Sequence, residues 1–327
     1  MRTSVEDFTA YGGLKTINPG EQDDLMLVAY SFEPRCSTVV RSLADPYGAN
    51  IGVVYFNEEI VDPQRRTAAT SGFDEMRHRL ADFAQHVWTA KGSLQKPSVQ
   101  LQSFKGLFAR PEIAGRPPKS ITIDATAFNR ETLLILSGLL DAFFPQAKKR
   151  IVYVSPESYG EWLSAGFQQV RNVIGLGGLQ DPGKKTLLVV LCGYEHHRAI
   201  KTIEEYEPAK VLLGFGDEPT EGEFLRRNME ELERVGALAL TQQEVDKFAF
   251  PADGIMKCFE RLDFVVGPYV DSHNVVVAPM STKLSTIAAY LLAKKHAQVQ
   301  VSYCAPAEYN IASYSKGAKS VFIEELT

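Results

Sequence analysis

This 327-residue chain has no paired metal-binding cysteines, no run long enough for a membrane and no familiar catalytic fingerprint. Its four cysteines, Cys36, Cys192, Cys258 and Cys304, stand far apart with no CxxC pair, which argues against a structural zinc site. Cys192 and Cys304 fall in or beside apolar runs, where a free thiol behaves as a small hydrophobe. The start, Met1 to Asp7, holds no apolar core of a secretory leader, and the longest apolar run, Ile287 to Ala293, is far short of a membrane span. A cytoplasmic, reduced protein is the expectation. There is no basic surplus either: the net charge is −5. Extended duplex binding is therefore not expected, and any anion site must be local, built from a few Arg and Lys. Gly175-Leu176-Gly177-Gly178 has neither GxGxxG spacing nor a Walker Lys-Ser/Thr, so no cofactor can be named. GxSxG and HExxH are also missing.

What is present is an ordered α/β pattern. Hydrophobic residues make up 45% and charged residues 23%, ordinary for a folded chain, and the length suits two domains of about 150 residues. Leu25 to Tyr30 reads as a strand buried on both faces, and Pro34 sits where a first helical turn tolerates it. Asn50 to Phe56 is the next expected strand. The spacing of Met76, Leu80, Phe83, Ala84 and Val87 predicts a helix from Phe73 to Trp88, and alternation predicts a strand from Val99 to Phe104. Strand Ile121 to Asp124, helix Arg130 to Phe144 and strand Ile151 to Val154 complete a first half. The second half is expected to run strand Leu187 to Leu191, helix Glu195 to Tyr206, strand Lys210 to Phe215 and helices Glu221 to Val235 and Ala252 to Leu262. Strand Val275 to Pro279, helix Ser281 to Lys295 and strand Val299 to Tyr303 follow. Strands alternating with helices predict parallel sheets with right-handed crossovers. The fold class is α/β, two Rossmann-like parallel-sheet halves.

The halves also match residue by residue. Leu25 to Glu33 lies over Leu187 to Glu195: an apolar strand, a small residue, an aromatic and a Glu. Val154-Ser155-Pro156-Glu157-Ser158-Tyr159 lies over Cys304-Ala305-Pro306-Ala307-Glu308-Tyr309, sharing Pro-x-x-Tyr after a strand. An internal duplication accounts for both, although any two Rossmann-like units share some of this pattern. The expected division is an N-terminal extension 1–23, a first half 24–176, a linker 177–185 and a second half 186–327.

Open parallel sheets bind ligands beyond the carboxyl ends of their strands, where helix N-termini present free N–H groups. Four loops stand out there. One holds Ser31, Phe32, Glu33 and Arg35; its counterpart holds Tyr194, Glu195, His196, His197 and Arg198. The others hold Asp124, Thr126 and Arg130, and Ser281, Thr282 and Lys283. Hydroxyls and a cation at a helix start suit a phosphate or carboxylate. Packed about a pseudo-twofold axis, the loops would face one shared cleft. Each residue also has a plainer role. Ser281 or Thr282 can cap its helix, and Glu33 and Glu195 can favour the helix dipole or pair with Arg35 and Arg198. His196 and His197 are acid–base candidates or solvated residues at a helix start. Tyr159 and Tyr309 are candidates for stacking on a ligand base or for core packing.

At Ser281-Thr282-Lys283 the chain resembles the CARF family of nucleotide sensors and the fused-pair SAVED domains, where Thr-Lys or Thr-Arg often follows the fourth strand. The stretch Val275 to Lys283 is similar to that pattern, and Asp124 to Arg130 is a looser match. Met280-Ser281 stands where the family commonly has Gly-Gly. The resemblance implies that Thr282, Lys283 and Arg130, with Arg35 and Arg198 beside them, contact an oligonucleotide second messenger. The leading expectation is a sensor or adaptor for a nucleotide-like anion in a prokaryotic defence system, read by a separate effector chain. The alternatives are an enzyme on a nucleotide or phosphometabolite, such as a ring nuclease with Glu195, His196 and His197 as catalysts, and a scaffold subunit without catalysis.

Overall fold

A computed structural model describes residues 22–43, 47–57, 66–217, 230 and 244–326. The chain forms two compact units. Unit 1 comprises Met1–Glu161 together with Ile311–Thr327, and unit 2 comprises Trp162–Asn310.

Unit 1 is built on β1 (Gln22–Tyr30), β2 (Gly48–Asn57), β3 (Ala84–Gly92), β4 (Ser120–Asp124) and β5 (Lys148–Val154). These five are parallel and lie side by side in the order β5-β4-β1-β2-β3. The short pieces β6 (Ser158–Tyr159) and β7 (Ser164–Ala165) and the strand β8 (Gln169–Asn172) come next in the chain. Unit 2 then repeats the plan with β9 (Lys185–Cys192), β10 (Lys210–Asp217), β11 (Glu244–Pro251), β12 (His273–Pro279) and β13 (Gln300–Ala305), ordered β11-β10-β9-β12-β13. In both sheets the first strand is central and the order reverses between the first and fourth strands. This is the Rossmann arrangement, twice. Central strands are apolar on both faces because helices cover both: Leu25 to Ala29 and Leu187 to Leu191 are buried throughout. The α/β class with two Rossmann-like halves is what the structure has.

Each sheet gains a sixth, antiparallel strand, and here the chain does something its linear order does not announce. β8 follows β5 in sequence but pairs with β13 of unit 2. β16 (Val321–Leu326) follows β13 but pairs with β5 of unit 1, from Val321 opposite Val154 to Leu326 opposite Lys149. The segments leading to these strands make two short ladders. β15 (Ser315–Lys316) pairs with β6 in unit 1, and β14 (Glu308–Tyr309) pairs with β7 in unit 2. Tyr159 thus lies opposite Ser315, and Tyr309 opposite Ser164. The halves have exchanged their terminal arms. The division expected at 177–185 is corrected accordingly: those residues lie inside unit 2, and the chain passes between units after Glu161 and after Asn310. Edge-strand hydrogen bonding, not consecutive sequence, decides membership.

Two local expectations also change. The helix expected over Phe73 to Trp88 is Arg66–Ala81, and Val87 and Trp88 belong to β3 instead. The run His86-Val87-Trp88-Thr89 is rich in β-branched and aromatic side chains and completes the ladder on β2, with Trp88 opposite Val53. The strand expected over Val99 to Phe104 is a helix, Pro97–Phe108. Pro97 suits its first turn, and Gln100, Phe104, Leu107 and Phe108 are buried at helical spacing, a longer pattern than the two-residue alternation of Val99 and Leu101. The helix expected over 221–235 lies outside the described residues apart from residue 230, which is helical. The helices Arg130–Phe143, His196–Tyr206 and Lys283–Lys295 start within two residues of where the sequence places them. Among the described residues no helix is long and apolar enough to cross a membrane, and no cluster of His, Cys, Asp and Glu is arranged to hold a metal ion.

Candidate functional site

The loops singled out in the sequence fall at the two points where strand order reverses: after β1 and β4 in unit 1, after β9 and β12 in unit 2. Their side chains divide into those turned inward and those lining open space.

Arg35 and Arg198 turn inward. The Arg35 guanidinium holds both Glu33 carboxylate oxygens from Nη2 at 2.7 and 2.8 Å, donates to the Val154 carbonyl from Nη1, and reaches Ser315 Oγ from Nε at 3.3 Å. Ser315 Oγ in turn donates to Glu33 Oε1 at 3.3 Å. Unit 2 has the twin of this arrangement. Arg198 Nη1 meets Glu195 Oε2 at 2.5 Å, Nη2 donates to the Cys304 carbonyl, and Ser164 Oγ donates to Glu195 Oε1. The side chains of both pairs are at most 6% exposed. In each unit the Glu follows the first strand, the carbonyl ends the fifth or lies next to its end, and the Ser sits on an exchanged arm. The pairing with Arg35 and Arg198 weighed for Glu33 and Glu195 is therefore the one realised. Contacts with a ligand were expected of these two arginines; the Nη groups of both are held by internal partners, as is Arg35 Nε, while the buried Arg198 Nε has none.

A pair of tyrosines accompanies each ion pair. Tyr303 and Tyr309 hydroxyls are 3.3 Å apart, and the Arg198 guanidinium lies 5.4 Å from the Tyr303 ring centre. In unit 1 burial drives the Tyr159 phenol well above its usual value, with Tyr153 beside it adding to the effect. Both outer tyrosines, Tyr159 and Tyr309, are half-buried within the short ladders.

The fourth-strand loops are also tied down. Asp124 and Thr126 are buried; the Asp124 carboxylate accepts the Thr126 N–H at 3.0 Å, and Thr126 Oγ1 accepts the Val154 N–H at 3.0 Å. Burial pushes the Asp124 carboxyl up to about 7, against the opposing pull of the Thr126 hydrogen bonds and Arg35. Asn129 caps helix Arg130–Phe143, accepting from the Thr132 N–H, with Arg130 half-buried at its first position. Thr282 caps Lys283–Lys295, accepting from the Ser285 N–H at 3.1 Å and donating to the Ala252 carbonyl at 3.2 Å. Ser281 is buried, and Lys283 and Tyr194 are half-buried. Capping is thus the work seen for Thr282.

In unit 2 the two loops press together. A Cβ on Gly193 would lie 2.0 Å from the Met280 carbonyl oxygen and 2.8 Å from its carbon. Gly193→Ala is expected to cost about 1–3 kcal/mol, because backbone rather than a flexible side chain must move. Chemical denaturation reads this directly, and an unchanged midpoint would show that the loops are not in contact. His196 and His197 meet edge to face, ring centres 5.9 Å apart, and burial lowers the His197 pKa. Glu195, their expected catalytic companion, has both oxygens engaged by Arg198 and Ser164.

Open space is found in unit 1. A cavity of about 370 Å³ sits over the end of β1, between the loop Ser31–Pro34 and helix Arg66–Ala81. Tyr30, Ser31, Phe32, Arg41, Glu75 and Arg79 line it, together with Glu33. Two guanidinium groups share one carboxylate: Arg41 Nη2 and Arg79 Nε reach Glu75 Oε1 at 3.0 and 3.1 Å. With Glu33 already neutralised by Arg35, these three side chains leave one positive charge. Their exposures, 42, 47 and 49%, make this a surface ion pair worth about 0–1 kcal/mol. An incoming anion can take over from Glu75 at little cost, whereas dislodging Glu33 from Arg35 would strand a buried charge. That difference in magnitude makes Arg41 and Arg79, not Arg35, the cations available to a ligand. Tyr30 adds a hydroxyl; burial first, then Cys36 and Glu75, push its pKa up to about 12, so it stays a neutral donor. Gly72 makes room for it, since a Cβ there would fall 2.4 Å from Tyr30 Oη.

Sequence reading found Ser31 and Glu33 but missed Tyr30, Arg41, Glu75 and Arg79. Glu75 and Arg79 stand four apart, a visible helical pair. Nothing in the sequence told that Arg41, 34 residues earlier, shares the same carboxylate.

Strand order and loop placement define a duplicated, Rossmann-like α/β protein with its ligand-type loops at the points of strand reversal. No family model and no curated protein matches the chain. Among solved structures, "AtPrR2 with NADP+ and (+)pinoresinol" is similar at 11% identity over 78% of this chain and 88% of that one, with a TM-score of 0.26. A likeness of that size carries no weight for function.

Proposed function

We propose that the chain binds a nucleotide-like anion in the cavity of unit 1 and serves as a sensor or adaptor whose state a separate effector chain reads. The observation that carries this reading is the cavity at the end of β1, where Arg41 and Arg79 converge beside Tyr30, Ser31 and Phe32. Guanidinium groups meet phosphate oxygens, the hydroxyls supply further hydrogen bonds, and the aromatic Phe32 offers a face or edge to a base. The resemblance of Ser281-Thr282-Lys283 to nucleotide-sensor domains points to the same ligand class and to a cytoplasmic defence setting. Turnover is the less supported reading, because Glu195 is held in a buried ion pair.

Calorimetric titration against a panel of cyclic oligonucleotides tests it. One member is expected to bind, and Arg41→Ala or Arg79→Ala is expected to weaken that binding about ten- to a hundredfold, the scale of one charge-assisted hydrogen bond of roughly 1.5–3 kcal/mol. Silence across the panel, or affinity indifferent to both arginines, would defeat the proposal.

A further inference from the structure

The loop that floors the cavity also grips the exchanged C-terminal arm. Phe32, in the cavity wall, packs edge-on against Tyr314 of the arm, ring centres 5.6 Å apart. Glu33, one residue on, accepts from Ser315 Oγ at 3.3 Å, and Arg35 reaches the same oxygen from Nε at 3.3 Å. Beyond Ser315 the arm runs into β16 and the whole edge of β5. None of the arm's residues lines the cavity. Two consecutive loop residues therefore face the ligand space with one part and the arm with another.

We infer that the segment Ser31–Arg35 couples occupancy of the cavity to docking of the arm 311–326. The inference rests on the binding reading above for its ligand, but the contacts between loop and arm stand without it. A docked arm fixes the Phe32 ring through Tyr314 and the Glu33 carboxylate through Ser315, so the cavity wall is already ordered when a ligand arrives. With the arm released, binding must first order that wall. The ligand therefore binds the arm-docked state better and holds the arm in place, and by linkage the arm tightens the ligand by the same factor. The arm is the chain's return from unit 2, so what happens in the cavity is reported to the segment that carries the polypeptide between units.

Two measurements test this on the full-length chain. The first needs no ligand: hydrogen exchange of the Val321–Leu326 amides. Phe32→Ala is expected to speed it at least tenfold, and Phe32→Leu, which keeps apolar bulk if Ala fails to fold, several-fold. Ser164→Ala, the corresponding serine of unit 2, is expected to leave it unchanged. The second is titration with ATP and cyclic di-adenylate as probes: Ser315→Ala, which removes an arm group outside the cavity, is expected to weaken the better probe about fivefold, and Ser164→Ala not at all. Unaltered exchange in both Phe32 variants overturns the coupling, as does undiminished probe affinity in Ser315→Ala. Silence of both probes on the unmodified chain, with exchange accelerated by the Phe32 variants, removes these two nucleotides as occupants of the cavity and leaves the loop-to-arm linkage standing.

Discussion

Arg198→Met is expected to destabilise the protein by about 3–5 kcal/mol, the cost of leaving one partner of a buried ion pair without its counter-charge. Arg198 is 1% exposed and Glu195 5%. Removing the guanidinium strands the Glu195 carboxylate beside Ser164 and leaves the Cys304 carbonyl without its donor. The double variant Glu195→Leu with Arg198→Met is expected to recover much of the loss, because an apolar pair of similar bulk requires no desolvated charge. Chemical denaturation of the three proteins gives the comparison. A loss below about 1 kcal/mol in the single variant would place the pair in the class of surface salt bridges and refute its burial. The twin substitution Arg35→Met should behave alike, and its loss should be accompanied by faster exchange of β16, whose approach it anchors through Ser315.

The second large effect is a pH dependence. Asp124 is 1% exposed and, in the fold, takes up its proton near 7 rather than at its ordinary 3.8, chiefly because burial disfavours the charged form. Between those values the folded chain holds more protons than the unfolded one. Stability should therefore be fully present below about pH 4, fall as pH rises toward 7, and level off above it. The fall attributable to this one group is on the order of 4 kcal/mol. Asp124→Asn keeps an acceptor for the Thr126 N–H and carries no charge. It is expected to match the wild type near pH 4 and exceed it at pH 8. Parallel stability curves for the two proteins across that range would rule the account out.

The duplication is readable in the sequence because it preserves chemistry at matched positions. Glu33 aligns with Glu195 and Val154 with Cys304, and in each unit the two meet through an arginine in the same way. The arginines themselves do not align, one standing two residues and the other three residues after its glutamate. Each guanidinium reaches the same target from a different turn of backbone, so pairwise alignment misses it. The cavity was half legible. Ser31 and Glu33 lie on the loop that any parallel sheet presents at its first strand, but Arg41 and Arg79 reach it from two helices and only packing brings them to one carboxylate. The same limit explains β3, where a ladder partner on β2 outweighed the helical spacing of Phe83, Ala84 and Val87.

By itself the sequence determined the α/β class, the central strands, the repeat and the loops at the strand ends. These follow from apolar runs, turn residues and caps, all of which act over a few neighbours in the chain. The tertiary structure alone decided which half each antiparallel arm completes, that Arg35 and Arg198 face inward, and that Arg41 and Arg79 share an open cavity. Those outcomes depend on hydrogen bonds and charges meeting across 30 to 280 residues, and an edge strand's free N–H and C=O groups accept whichever partner the folded chain brings alongside.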